Sequence, residues 1–281
     1  GNLNLPDGFD FRGGLTHDTG NTYLSGAITS SNAPIVLTDA TPRTLFLTNV
    51  ASINTVNAGT GGNINLGAVS NAVSRTFTLT AGTAGNISVT GEVGAGTALS
   101  AFTVALANMV TLGNRVTVTG TVGIANDGLL TIPDVTNEYD TAVYDIIAPG
   151  GFTQSGTGAV NLQGDIRAGV ALGTGGISFA GPITLTGDVR LAVTAGTGGV
   201  SFANAATIDG DGVEPRDLFV AAVSGNIAFG TAPALGNARI GGTANHPRRI
   251  SISTTGNVTL NGGVDIDGVA AANALDISAA T

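Results

Sequence analysis

The chain has 281 residues, 42% of them apolar, yet only 10% are charged, 44 are Gly, and Cys and Trp are absent. Average globular chains carry about 25% charged residues and about 7% Gly, so this composition fits an ordinary two-domain enzyme poorly; it is also too apolar for a disordered linker and lacks the period of collagen. Ten Arg, no Lys and nineteen acidic residues give a net charge of −9 with no basic footprint for nucleic acid, and no apolar run is long enough to span a membrane.

In chain order, one frame returns: a leading Gly, then a short strand with two apolar positions. It opens the chain as Gly1-Asn2-Leu3-Asn4-Leu5 and returns from Gly20, Gly62, Gly85, Gly113, Gly158, Gly175, Gly198, Gly225 and Gly256. The successive offsets are 19, 42, 23, 28, 45, 17, 23, 27 and 31 residues, about one coil each with two double-length gaps. Self-similarity on this scale marks a solenoid. Val, Ile and Thr between Gly and Asn turns predict strands, about three per unit, and no unit has the helical period of a crossover.

The expected fold is therefore all-β: a parallel β-helix (β-solenoid) of about 12 coils, one continuous segment over residues 1–281. A degenerate coil is expected over Pro34–Gly59, and a coil with a loop insertion over residues 123–151. Stacked strands place equivalent side chains in columns about 4.8 Å apart. One inward column is predicted as Leu5, Leu24, Leu66, Val89, Val118, Leu162, Phe179, Phe202, Phe229 and Leu260, with Phe179, Phe202 and Phe229 forming an aromatic core stack. A second column holds Asn2, Asn21, Asn63, Asn86, Asn114, Asn226 and Asn257, read either as a structural ladder of amides bonded from coil to coil or as plain turn formers. The many glycines are read as turn glycines.

Units such as Gly256–Thr281 resemble the giant Gly/Thr-rich β-strand-repeat proteins of bacterial surfaces. They are also similar to the repeat regions of filamentous-haemagglutinin-type adhesins and autotransporter passengers. The resemblance covers nearly the whole chain and rests on a loose frame. It implies a right-handed β-helix, secretion to the cell surface, and an adhesive or scaffolding role. The join of Thr281 to Gly1 would reproduce the internal Thr255-Gly256-Asn257 junction. The solenoid is therefore expected to continue through both ends, into the next repeat of the same chain or a head-to-tail copy of itself.

Chemistry-bearing motifs are few. His17 and His246 lack a second His at metal-ligand spacing, and neither a G-x-S-x-G elbow nor a P-loop occurs, so no catalytic or cofactor-binding residue is assigned. Asp209 and Asp211 match a fragment of a calcium loop, and Asp265 with Asp267 repeats it, so these four are candidate Ca²⁺ ligands or solvated turn residues. Asp134, Glu138, Tyr139, Asp140 and Tyr144, within the 123–151 segment, are the candidate contact for a partner such as surface carbohydrate or another cell, or a solvated insertion. A β-helix lyase or hydrolase is the enzymatic rival, and the Thr-x-Thr pairs are too scattered for a flat ice-binding face.

Overall fold

The computed structural model describes residues 1–38, 44–135, 143–203, 206–230, 240–241, 246–266 and 275–279. The described residues form strands and turns with no helix, and so no helix long and apolar enough to cross a membrane. The chain divides into two compact units, residues 1–131 and 132–281. Each is a parallel β-helix.

In the first unit, three stacks of parallel strands follow one another around each coil. One stack runs Leu3–Pro6, Thr22–Ser25, Thr44–Leu47, Ala68–Asn71, Val93–Ala95 and Val116–Thr117. The next runs Phe9–Asp10, Ala27–Thr29, Ala51–Asn54, Thr76–Thr80, Ala101–Ala107 and Thr121–Asn126. The third runs Leu15–Thr16, Ile35–Leu37, Ile64–Leu66, Ile87–Val89 and Val110–Leu112, ending on Leu130–Ile132. Most strands are three to five residues long and bury alternate positions, as the period-2 geometry of a strand requires. Register then places like on like: Leu5 pairs with Leu24, Ile64 with Ile87, and Phe77 with Phe102, all buried. Pro34–Gly59 contributes Ile35–Leu37, Thr44–Leu47 and Ala51–Asn54, one to each stack.

The second unit repeats the plan. Ile146–Ala148, Ile166–Ala168, Val189–Val193, Asp217–Ala222, Arg249–Thr254 and Leu275–Ala279 form one stack. Gly151–Gln154, Ile177–Phe179, Val200–Phe202, Ile227–Phe229 and Val258–Leu260 form another. Val160–Leu162, Ile183–Leu185 and Ile208–Gly210 form the third, continued by single bridges through Ile240 to Val264. Six strands in the tallest stack of each unit account for the expected number of coils.

The repeat frame does not mark one position per coil. In the first unit the copies at Gly1, Gly20 and Gly113 lead into the first stack, whereas those at Gly62 and Gly85 lead into the third. In the second unit the Gly158 copy enters the stack of Val160–Leu162, and those at Gly175, Gly198, Gly225 and Gly256 all enter the stack of Ile177–Phe179. The predicted inward column is thus distributed over several stacks. Its members are buried except Leu260, which is half-buried. Any three-residue strand between two tight corners needs an apolar residue on each side of a polar one. The frame therefore reports a corner and a strand, roughly a third of a coil.

Phe179, Phe202 and Phe229 do share a column. They are mutual register partners, with ring centroids 5.8 Å and 4.6 Å apart and interplanar angles of 6° and 16°. Phe152 extends the stack at 5.3 Å with a tilted ring. The leading glycines beside this column act differently from turn glycines. A Cβ on Gly198 or Gly225 would overlap the backbone carbonyl of the leading glycine one coil earlier, Gly175 or Gly198, and one on Gly256 would lie 2.7 Å from the Gly225 oxygen. None of the three has a positive φ. They are small because successive coils touch backbone to backbone at this corner.

Candidate functional site

Polar side chains of the corners form the recurrent interaction outside the core. A strand in a stack leaves the N–H just before it without a strand partner, and in corner after corner a side-chain oxygen one coil away accepts that N–H. Asn2 Oδ1 accepts from Asn21 N–H at 3.1 Å, Asn63 from Asn86 at 2.9 Å, Asn86 from Met109 at 3.2 Å, and Asn226 from Asn257 at 3.0 Å. Asn21 reaches Thr44 N–H more weakly at 3.4 Å. The seven expected ladder residues are brought together as three neighbouring pairs, and Asn114 instead accepts from its own neighbour Arg115. The bonding runs from side chain to backbone, apart from one amide pair in which Asn108 Nδ2 donates to Asn86 Oδ1 at 3.1 Å. Backbone N–H groups at a corner need an acceptor more than a neighbouring amide does.

Residues without the Gly-Asn signature do the same work. Asp7 Oδ1 accepts from Ala27 N–H at 2.7 Å and Asn32 from Asn57 at 2.8 Å, while Gln154 Oε1 accepts from the Ala180 and Gly181 N–H groups just after the strand Ile177–Phe179, at 2.8 Å and 3.0 Å. In the second unit Asp145, Asp165 and Asp188 take the role, each directly before an Ile or Val that starts a strand. Asn63, Asn86, Asn226 and Asn257 precede Ile or Val in the same way. An Asx followed by a β-branched residue was the signal in the sequence that the narrower frame passed over. Replacing Asn226 with Ala is expected to cost about 1 kcal/mol in denaturant unfolding, the usual net value of one such bond, while Asn226→Asp retains most of it.

The second unit also concentrates charge. Arg216 holds Asp211 at 2.9 Å and Glu214 at 3.4 Å, and Arg248 holds Asp217 at 2.7 Å and Asp188 at 3.8 Å. Of the calcium candidates, Asp211 is thus engaged: Oδ1 accepts from the Val213 and Glu214 N–H groups and Oδ2 pairs with Arg216. Desolvation would raise its carboxyl, but these bonds and the guanidinium hold it below the usual range. Asp209 lies within the strand Ile208–Gly210, Asp265 Oδ2 lies 3.9 Å from His246 Nε2, and Asp267 is outside the described residues. No three carboxylate or imidazole groups converge as a metal centre among the described residues.

The expected contact segment is built differently from a free loop. Of residues 123–151, strands occupy 123–126, 130–132, 146–148 and 151. Glu138, Tyr139 and Asp140 lie outside the described residues. Tyr144 is buried at 3% exposure, with the guanidinium carbons of Arg167 and Arg190 at 5.5 Å and 5.3 Å from its ring centroid. Burial pushes its hydroxyl above the usual tyrosine range. Asp145, the next residue in the chain, is 3% exposed, and Asp165, whose charge acts on the Tyr144 hydroxyl, is 6% exposed. One phenol, two buried carboxylates and two guanidinium groups thus lie near one another at this end of the expected contact segment.

No family model, no curated protein and no solved structure matches this chain.

Proposed function

We propose that the chain is a structural segment of an extracellular fibre, sheath or adhesin stalk, with a mechanical role, extended by adding coil upon coil. The observation supporting this reading is the direction of its interactions. Backbone ladders, the Phe column and the Asx corners all bond one coil to the next, so what the side chains achieve together is cohesion along the stack. A solenoid built this way is stabilised by each neighbour it gains.

The strand Leu275–Ala279 offers an edge for such a neighbour. Leu275 and Ile277 are register partners of Ile250 and Ile252, which are 0% and 1% exposed, yet are themselves 39% and 42% exposed. A further coil, from the same giant chain or from a second copy, would bury them and pair the outer edge of this strand, which has no strand partner among the described residues. In the head-to-tail reading, Ile277→Lys is expected to shorten or abolish assemblies seen by negative-stain microscopy while leaving the unfolding midpoint of the dispersed chain nearly unchanged. Native material that stays a 27.5 kDa monomer at high concentration would overturn the assembly reading.

A further inference from the structure

We propose that the first unit carries a binding groove for a neutral oligosaccharide, seated over Gly26 at the corner between its first and second strand stacks.

Unequal corner lengths create the groove. Asp7 and Gly8 join the two stacks in the first coil, Gly26 alone joins them in the second, and residues 48–50 join them in the third. A one-residue corner between longer ones is recessed. It leaves an open groove of about 340 Å³, towards the small end of the range for small-molecule sites. Gly26 is required at its floor: its φ is +138°, and a Cβ there would overlap the Asp7 side chain. Asp7 is fixed at the rim through Ala27. Its Oδ1 accepts from Ala27 N–H at 2.7 Å, and the next residue, Gly8, donates to the Ala27 carbonyl at 2.9 Å.

Four successive coils bring polar groups to this recess: Asp7, Ser25, Asn49 with Ser52, and Thr78. The hydroxyls of Ser25, Ser52 and Thr78 and the second oxygen of Asp7 make no hydrogen bond among the described residues. Asn49 Oδ1 accepts from Val50 N–H at 2.9 Å, which leaves its Nδ2 to donate. Val50, 58% exposed, adds an apolar wall. Tyr23 stands two residues before Ser25 on the same outward face of its strand, about 7 Å away. Phe46 stacks on its ring at 5.3 Å, so an aromatic platform borders the groove.

This set of donors and acceptors selects the ligand class. A sugar hydroxyl both donates and accepts, and here it meets a carboxylate oxygen, an amide NH₂ and three hydroxyls. The C–H face of a second sugar unit would cover the aromatic platform, so the site fits an oligomer better than a single sugar. An anion would meet Asp7 and no cationic side chain among the residues lining the groove. Ca²⁺ takes about six to eight oxygens, whereas the groove has one carboxylate, and one of its two oxygens is already engaged.

The test is proton–nitrogen NMR of the dispersed, intact chain, titrated with short oligomers of glucose, galactose, mannose and N-acetylglucosamine, and separately with CaCl₂ alone. At least one oligomer is expected to move the Ala27, Val50 and Ser52 amides saturably, with a Kd of about 1 mM, while amides of the Phe column stay in place. Asp7→Asn keeps the bond to Ala27 and should weaken binding about fivefold. Ser52→Phe fills the groove from an outward strand position that tolerates an aromatic residue, and should abolish binding. Silence from every oligomer, shifts confined to other faces, or binding that survives Ser52→Phe would overturn the proposal. So would saturable shifts with CaCl₂ and none with sugar. Should either variant fail to fold, the location of the wild-type shifts decides. The groove lies within one unit, so this result is independent of whether the chain assembles into a fibre.

Discussion

Replacing Phe202 with Ala is expected to lower the unfolding free energy of the second unit by about 3–5 kcal/mol, the usual cost of emptying a buried aromatic site. Phe202 is 1% exposed and is the only member of its column stacked face to face on both sides, against Phe179 and Phe229. Truncation removes two ring contacts and leaves a void between two coils whose backbones are already paired and cannot collapse inward. Against the 5–15 kcal/mol typical of a domain, about 3–5 is a large fraction. Denaturant unfolding of the variant measures it directly. A loss below about 1 kcal/mol would mean that the column is not packed as described.

The second large effect concerns a residue with no side chain. Gly198→Ala places a methyl group against the Gly175 carbonyl, where only backbone could move aside. The expected loss is about 1–3 kcal/mol or more, because the two coils must separate and weaken their ladder on either side. Gly123→Ala is the matched control: it lies in the strand Thr121–Asn126, and an added Cβ there meets nothing within 4 Å. That variant should fall within about 0.5 kcal/mol of the parent. If the two behave alike, the glycines leading into the Phe column serve turn conformation after all.

How much of this is legible in the amino-acid sequence depends on the physics behind each signal. Parallel stacking of three short strands per coil follows from Gly and Asx corners spaced by apolar alternation, and the Phe179–Phe202–Phe229 column follows because four consecutive copies of the frame share one stack. The phase of the frame in the first unit was not legible. Gly1-Asn2 and Gly62-Asn63 read alike, yet they enter different stacks, since each corner makes the same local demands and only the paired neighbour distinguishes them. Asp165 was invisible for another reason. In sequence it is an ordinary turn Asp, and what sets it apart is Asp145 from the preceding coil, twenty residues away, reaching its N–H.

Every bonded pair of coils is close in the chain. Among the described residues, backbone bonds between neighbouring coils span from 18 residues, as at Leu3 and Asn21, to 33, at Ile208 and Gly241. The entropic cost of closing a loop grows only with the logarithm of its length, so each added coil meets nearly the same cost however long the protein becomes. A stack of finished coils offers the next one its ladder edge, and folding of such a chain can nucleate in one place and advance as a moving front. A polypeptide emerging end-first through a narrow opening could therefore fold behind the opening as it arrives, without waiting for distant sequence, and the growing front would itself resist backward slippage.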